Sequence, residues 1–462
     1  MINNDCICAL ATASGVGALG VIRISGENSI KITNNIFHGK NLENVDSHSI
    51  HYGYIKDNEE IIDEVMISIF HAPKTFTTEN SAEISFHGSP HIARRILQVL
   101  TKNGARIAKP GEFTLRAFIN GRIDLSQAES VADLISSENE SSRKIALNQL
   151  RGGISSEISL LRDSLLNFAS LVELELDFSE EDVEFADRSS LLKLITKIEE
   201  KLKSLIDGFK YGNAIKNGIP VAIIGKPNAG KSTLLNSLLK EERAIVSEIE
   251  GTTRDTIEEI LNIEGNSFRL IDTAGLRKTN DKIEALGIEK TREKAQQADI
   301  IIYLIDIASN DISEDLELVK NLLNNKTKLI ICLTKIDEYN SDNTYIIEKN
   351  INDNFSNDFH LIKISALKNI NIHELKNELC NYINFLNFDK DNTLITNERH
   401  FEALKKTEQS LQNVKNSIFR NITTELLAYE LRQSIEYLGE ITGEVSNDEI
   451  LGNIFSKFCI GK

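Results

Sequence analysis

Tryptophan is absent from this 462-residue chain, and methionine (two), proline (five) and cysteine (five) are scarce. The cysteines are Cys6, Cys8, Cys332, Cys380 and Cys459. Their number is odd, they are scattered, and no C-x-x-C pair occurs. That excludes a disulfide framework and a structural zinc site, and predicts reduced thiols. Long apolar runs are missing too. No stretch approaches the roughly 18–20 residues of a membrane-spanning helix, so no membrane association is expected. The small, apolar stretch from Ile7 to Gly20 has no basic residue before it, the first being Arg23. It does not read as a secretory leader, and a cytoplasmic location is expected. Positive charge is in deficit. Lys and Arg number 52 against 69 Asp and Glu, a net charge of −17. General basicity therefore cannot coat nucleic acid, and only a local basic groove is left to do so.

What is present divides the chain. At roughly 100–200 residues per domain, the length predicts two to four domains. The prolines fall at Pro73, Pro90, Pro110, Pro220 and Pro227, with none between Pro110 and Pro220 and none after Pro227. The first 115 or so residues mix short β-like runs, such as Val21–Ile24 and Val65–Phe70, with turns and an amphipathic helix from His91 to Leu100. From Leu125 to about Phe209 the period is helical, as in Leu160, Leu161, Leu165, Phe168, Leu171, Val172 and Leu176. The acidic stretch Asp177 to Asp187 interrupts it, and a second helix is predicted from Ser189 to Phe209. From about Ile219 to Asn381 strands and helices alternate. Strands are expected at Val221–Ile224, Phe268–Ile271, Ile300–Ile305, Leu329–Leu333 and Leu361–Ile364. The helical period returns after Glu398, with one face through Phe401, Leu404, Leu411, Val414 and Ile418 and another through Leu426, Leu427, Leu431, Ile435 and Leu438. The expected fold class is multidomain α/β. An N-terminal α+β domain covers 1–118, and a discontinuous helical domain covers 119–215 and 383–462. A Ras-like P-loop domain, a parallel-type sheet with helices on both faces, is inserted over 216–382.

The strongest motif is Gly225-Lys226-Pro227-Asn228-Ala229-Gly230-Lys231-Ser232, which fits G-x-x-x-x-G-K-[ST] between an apolar β run and a helix. Such a loop turns its N–H groups around phosphates, and the helix N-terminus adds positive potential. Lys231 is expected to reach the β- and γ-phosphates, the Ser232 hydroxyl to meet Mg²⁺, and Thr233 to follow in the first helical turn. A hydroxyl-rich loop comes next, running Ser247, Glu248, Ile249, Glu250, Gly251, Thr252 and Thr253 into Arg254-Asp255. Thr253 there can offer a hydroxyl to Mg²⁺ and an N–H to the γ-phosphate. Asp272-Thr273-Ala274-Gly275 ends an apolar strand, where Asp272 can hold the metal through water and the Gly275 N–H can approach the γ-phosphate. Thr334-Lys335-Ile336-Asp337 ends another. Asp337 can accept from guanine N1–H and the exocyclic amine, while the Lys335 stem packs on the base. Ser365-Ala366-Leu367 ends the last strand and can set the Ala366 N–H at the guanine carbonyl. Four motifs in this order predict a GTPase. One departs from the usual pattern: Thr334 stands where the guanine motif ordinarily has Asn. Thr keeps a hydroxyl but lacks the amide, so somewhat weaker nucleotide binding is expected.

The usual water-orienting glutamine is also missing, since Leu276 follows Gly275. A leucine cannot hydrogen-bond water, so another group must. Arg277, Asp281, Glu284 and Glu289 are candidates. Alternatively, a monovalent cation near the β–γ bridge could be held by Asn228 and by carbonyls between Ser247 and Thr252. Asn228 also reads simply as a turn residue after proline.

Over essentially its whole length the sequence resembles the MnmE (TrmE) family of tRNA modification GTPases. The resemblance rests on Gly20-Val21-Ile22-Arg23-Ile24-Ser25-Gly26, Lys109-Pro110-Gly111-Glu112-Phe113-Thr114, the inserted G domain, Ile441-Thr442-Gly443-Glu444, and the ending Phe458-Cys459-Ile460-Gly461-Lys462. The ending is similar to the family's C-x-G-K tail. Gly461-Lys462 is not a prenylation ending, and no His adjoins Cys459.

The resemblance implies a homodimer formed through an N-terminal domain that binds 5-formyl- or 5,10-methylene-tetrahydrofolate as one-carbon donor. It implies a heterotetramer with an FAD-dependent partner, MnmG (GidA), FAD belonging to that partner alone. Together they add an aminomethyl or carboxymethylaminomethyl group to the wobble uridine of certain tRNAs. GTP hydrolysis is implied to be potassium-activated, with K⁺ held by Asn228, Ser247, Ile249 and Thr252, and Glu284 acting through a bridging water. Folate contacts carry over to Arg23, Glu83, Arg122 and Lys462. Two other readings compete. One is a ribosome-assembly switch of the Era or Der kind, which the acidic helical flanks disfavour. The other is a folate enzyme with a vestigial G domain, which the intact Lys231, Ser232, Thr253 and Asp272 oppose. With a charge of −17, much of the tRNA affinity is expected to reside in the partner or in a local groove.

Overall fold

The computed structural model describes residues 5–177, 187–242, 259–271, 295–309, 312–322, 327–338, 341–355, 359–385, 393–420, 422–445, 448–456, 458 and 461. The chain divides into two compact units. One comprises 1–135, 147–198 and 403–462, the other 136–146 and 199–402.

In the first unit, residues alternating in polarity build a seven-stranded sheet. Its strands are β1 (Cys6–Leu10), β2 (Leu19–Ser25), β3 (Phe37–His38), β4 (Ser49–Asp57), β5 (Glu60–Phe70), β6 (Ser81–His87) and β7 (Ala105–Ile107). Their order is β3-β4-β5-β6-β2-β1-β7, antiparallel except for the β1–β7 pair. The two-residue period decides which side chains go inward. Ile22 and Ile24 of β2, Ile67 and Ile69 of β5, and Ile84 of β6 are fully buried. Helices Ser29–Ile36 and Pro90–Lys102 contribute to the same core. The second begins one residue before the predicted start because Ser89 caps it, accepting from the His91 N–H at 3.3 Å, with Pro90 at the first position. The outward set includes Arg23, and the register puts it directly opposite Glu83.

Helices Leu125–Ile135, Glu140–Leu150, Gly153–Asp177 and Arg188–Asn217 occupy the predicted helical stretch. The last runs eight residues beyond the expected Phe209. Two expected faces need correction. On Gly153–Asp177, Leu165 and Val172 are buried, but Leu160 and Leu171 are exposed. On Thr424–Thr442, Leu427, Leu431 and Leu438 are buried while Leu426 is exposed. In each case the stripe is narrower than the apolar residues alone suggest. These two helices are joined by Arg432–Glu173 at 2.7 Å.

The second unit holds a six-stranded sheet in the order β13-β12-β11-β8-β10-β9. The strands are β8 (Ile219–Gly225), β9 (Glu259–Ile263), β10 (Asn266–Leu270), β11 (Ile300–Asp306), β12 (Lys328–Thr334) and β13 (Phe359–Lys363). Every pair is parallel except the β9–β10 hairpin. The five expected strands are present, with no end shifted by more than two residues. The sixth, β9, was not among them. It is buried at alternate positions only, so it lacks the continuous apolar run of the central strands. On β11, Ile300, Ile302 and Leu304 pack on one core, with Leu234, Leu235 and Leu238 of helix Lys231–Glu242. Ile301, Tyr303 and Ile305 pack on the other, with Leu316 and Val319 of helix Ser313–Leu322. Helices thus cover both faces, and the loops at the carboxyl ends of β8, β12 and β13 are left to carry function.

Candidate functional site

β8 delivers the phosphate loop. It stops at Gly225, where a Cβ would lie 2.6 Å from the Leu304 carbonyl oxygen of β11, so only glycine fits. The Lys226–Ala229 turn follows, with the Ala229 N–H donating to the Lys226 carbonyl at 3.2 Å. Asn228 has φ +64°, as suits Pro at the second and Asn at the third position of such a turn. Asn228 is therefore a turn residue. Helix Lys231–Glu242 then starts, placing Ser232 and Thr233 in its first turn. The Lys231 ammonium folds back onto the Gly225 and Lys226 carbonyls at 2.6 and 2.7 Å.

β12 delivers the loop of the expected guanine motif. Thr334 is buried, and its hydroxyl reaches the Ala229 carbonyl at 2.9 Å and the Ile305 carbonyl at 3.3 Å. Lys335 follows at φ +61° with its ammonium on Asp306 at 2.6 Å. The Ser365 hydroxyl donates to Asp337 and holds its carboxyl below the usual carboxylate range, helped by Lys368 at 3.7 Å. Ser365 is fixed by a reciprocal backbone pair with Ile370, and the loop between them presents Ala366 and an exposed Leu367. Phosphate loop, Thr334, Asp337 and Ser365 thus converge on one edge of the sheet. Ser247, Glu248, Ile249, Glu250, Gly251, Thr252, Thr253, Asp272, Thr273, Ala274, Gly275, Glu284 and Lys462 lie outside the described residues.

A second constellation lies in the first unit. A cavity of about 490 Å³ is lined by Arg23, Glu83 and Arg122, the three described folate candidates. Arg23 and Glu83 are paired at 2.8 Å. Arg23 and Arg122 both approach the Phe76 ring, at 5.6 and 5.1 Å from its centroid. The segment from Pro73 to Glu79, which lines the cavity as far as Thr78, is held by three donors. Arg122 donates to the Thr75 carbonyl at 2.7 Å, Asn120 to the Thr77 carbonyl at 2.7 Å, and Arg116 to Glu79 at 3.1 Å.

Arg116, buried to 1% exposure, was missed in the sequence. It also binds Asp5 at 2.6 Å and Glu112 at 3.3 Å, and Arg106 reaches the same two carboxylates. The Glu112–Arg116 spacing of four was the available signal. Arg106 and Arg116 hold the Asp5 carboxyl below its ordinary value despite partial burial. Burial opposes ionisation of Glu112, but Arg106 and the Lys109 N–H outweigh it and lower its pKa.

The described cysteines are buried free thiols, and burial pushes Cys6 and Cys8 up to about 12. None is an activated nucleophile. Among the described residues no group of three or more His, Cys, Asp or Glu can hold a metal ion. A magnesium site built mainly from nucleotide phosphates plus one or two hydroxyls needs no such group. Among those residues, no helix is long and apolar enough to cross a membrane.

The C-terminal segment lies close to the first sheet. A Cβ on Gly111 would meet the Phe455 carbonyl at 2.8 Å, and one on Gly461 would meet that of Leu10 at 2.2 Å. Residues 6–122 match the family model described as GTP-binding protein TrmE N-terminus, and residues 125–459 match the MnmE helical domain. A protein named tRNA modification GTPase MnmE from Cytophaga hutchinsonii is 52% identical, covering 100% of this chain and 98% of that protein. Its namesake from Flavobacterium johnsoniae is 51% identical with 100% of both covered, and the one from Bacteroides fragilis strain ATCC 25285 is 47% identical over the same shares. With both family models and full-length relatives in agreement, the chain belongs to the MnmE family of tRNA modification GTPases.

Proposed function

We propose that this chain hydrolyses GTP and, with an FAD-dependent MnmG partner, drives aminomethyl or carboxymethylaminomethyl transfer to the wobble uridine of tRNA. The observation that carries the nucleotide reading is the 2.9 Å bond from Thr334 to the Ala229 carbonyl, which sets the phosphate loop beside the base-reading loop. Two loops so joined can grip both ends of one nucleotide. In this reading Asp337, kept ionised by Ser365, accepts from guanine. Lys231 exchanges its two loop carbonyls for phosphate oxygens. Ser232 and Thr253 would offer hydroxyls to Mg²⁺, which when bound would neutralise phosphate charge. Asn228, Ser247, Ile249 and Thr252 would hold K⁺ as a further positive charge beside the phosphates. Glu284 would act on the attacking water through a bridging water, a role Leu276 cannot fill.

The folate reading rests on the 490 Å³ cavity. Glu83 offers a carboxylate to the guanidine-like edge of a pterin, and Phe76 offers an aromatic surface. Arg122 suits the glutamate tail, and Lys462 is the remaining candidate contact. Tetrahydrofolate, as the 5-formyl or 5,10-methylene form, would supply the one-carbon unit.

The outward face of the sheet supports a homodimer. Tyr52 and Met66 lie opposite each other in register, and with Ile50 and Leu19 they are 48–66% exposed. The domain boundaries we adopt are 1–118, 119–215, 216–382 and 383–462, and the location is the cytoplasm. Nucleoside analysis of tRNA from cells lacking the protein tests the whole reading. Loss of the modified wobble uridine is expected, and fully modified uridine would refute it.

A further inference from the structure

The phosphate loop is braced from outside as well as inside. The Lys226 ammonium binds Glu314 at 2.9 Å and Asp315 at 3.1 Å, both on helix Ser313–Leu322. Asp315 is only 3% exposed, and its other oxygen accepts from the Tyr303 hydroxyl of β11 at 2.9 Å. Tyr303 is itself buried between strand and helix. A buried carboxylate shared by a lysine and a tyrosine has a fixed orientation, because each oxygen has its own donor.

Lys226 is the first residue of the turn that carries Pro227 and Asn228. The inner brace on that turn is the Lys231 ammonium on the Lys226 carbonyl. Lys231 must leave it to meet phosphates, whereas the outer brace uses no group assigned to the nucleotide.

We propose that Lys226, Asp315 and Tyr303 are positioning residues that hold the Pro227–Asn228 turn, with Asn228 at φ +64°, in the shape seen here while GTP is bound. This rests on the reading of Asn228 as a potassium ligand. The strut works through the turn and touches neither nucleotide nor cation. Its energetic signature is therefore a weaker response to the cation, with less effect on nucleotide binding.

The experiment measures GTP turnover of the full chain against potassium concentration, with magnesium–GDP affinity taken on the same samples. Lys226→Met and Tyr303→Phe are compared with Lys226→Arg. The first two are expected to raise the half-saturating potassium about tenfold, as loss of a charge-assisted contact allows. GDP affinity should fall much less, and Lys226→Arg should restore the potassium response. An unchanged potassium response in Lys226→Met and Tyr303→Phe overturns the inference while leaving the cation reading intact. So does an equal loss of GDP and potassium binding, which would mean the strut merely supports the fold. Equal turnover of the unaltered chain in potassium and sodium would remove the cation reading, and this inference with it.

Discussion

The Thr334 hydroxyl donates to the Ala229 carbonyl oxygen at 2.9 Å across 105 residues of sequence. One short side chain thereby ties the base-reading loop to the phosphate loop. The second acceptor, the Ile305 carbonyl at 3.3 Å, competes for the same proton. A threonine at this position can therefore keep the loops in register without the amide of an asparagine.

Replacing Thr334 by valine preserves shape but leaves the buried Ala229 carbonyl without this donor. The cost of such a loss is about 1–3 kcal/mol, a fall of roughly 5- to 150-fold in affinity for GDP and GTP alike. Serine should retain most of the binding. Titration with a fluorescent guanine nucleotide checks this, and a valine variant that binds as tightly as the parent would show the bond to be incidental.

A pH prediction follows from the cluster of Asp5, Glu112, Arg106 and Arg116. Both carboxyls have folded-state pKa values below their ordinary 3.8 and 4.5. Their contribution to stability is thus complete above about pH 4.5 and is lost as pH falls through the lowered folded values. The melting temperature of the protein should drop with acidification below that point. Glu112→Gln should be less stable near neutrality and should flatten the acid limb. An identical acid limb in parent and variant would exclude Glu112 from the linkage.

The contrast between these two sites shows what a sequence reveals. The phosphate loop was legible because its chemistry is local: eight consecutive residues fix a strand end, a turn and a helix start. The continuous apolar run of β11 likewise exposed a strand buried on both faces. Arg116 was not legible, because its partners Asp5 and Glu79 are 111 and 37 residues away and only folding brings them together. Phe76 was hidden for the same reason, its role depending on Arg23 and Arg122 arriving at its ring. Strand β9 escaped because half-burial leaves a polar residue at every second position. Leu160 and Leu426 misled in the opposite direction, since an apolar residue on a helix need not face the core.

Glu284 is the proposed water-orienting group, and it stands nine residues after Gly275. Glu284→Ala should leave GDP and GTP affinity near the parent value. Turnover should fall about 10²–10⁴-fold, the usual worth of a positioned acid–base group. Single-turnover kinetics separate the two effects. Loss of binding in place of turnover would make Glu284 a support of the loop.

The net charge of −17 bears on how tRNA is recruited. Non-specific affinity for a polyanion comes mainly from phosphate neutralisation by Lys and Arg, with release of counterions. A chain with 17 more acids than bases opposes that at long range, and at physiological salt only groups within a Debye length of about 8 Å escape the screening. The isolated protein is therefore expected to bind tRNA more weakly than micromolar at physiological salt, and addition of the proposed flavoprotein partner should tighten it. Filter binding with and without that partner reads this directly. Submicromolar binding by this chain alone would place the groove here, and its salt slope would then count the phosphates it contacts.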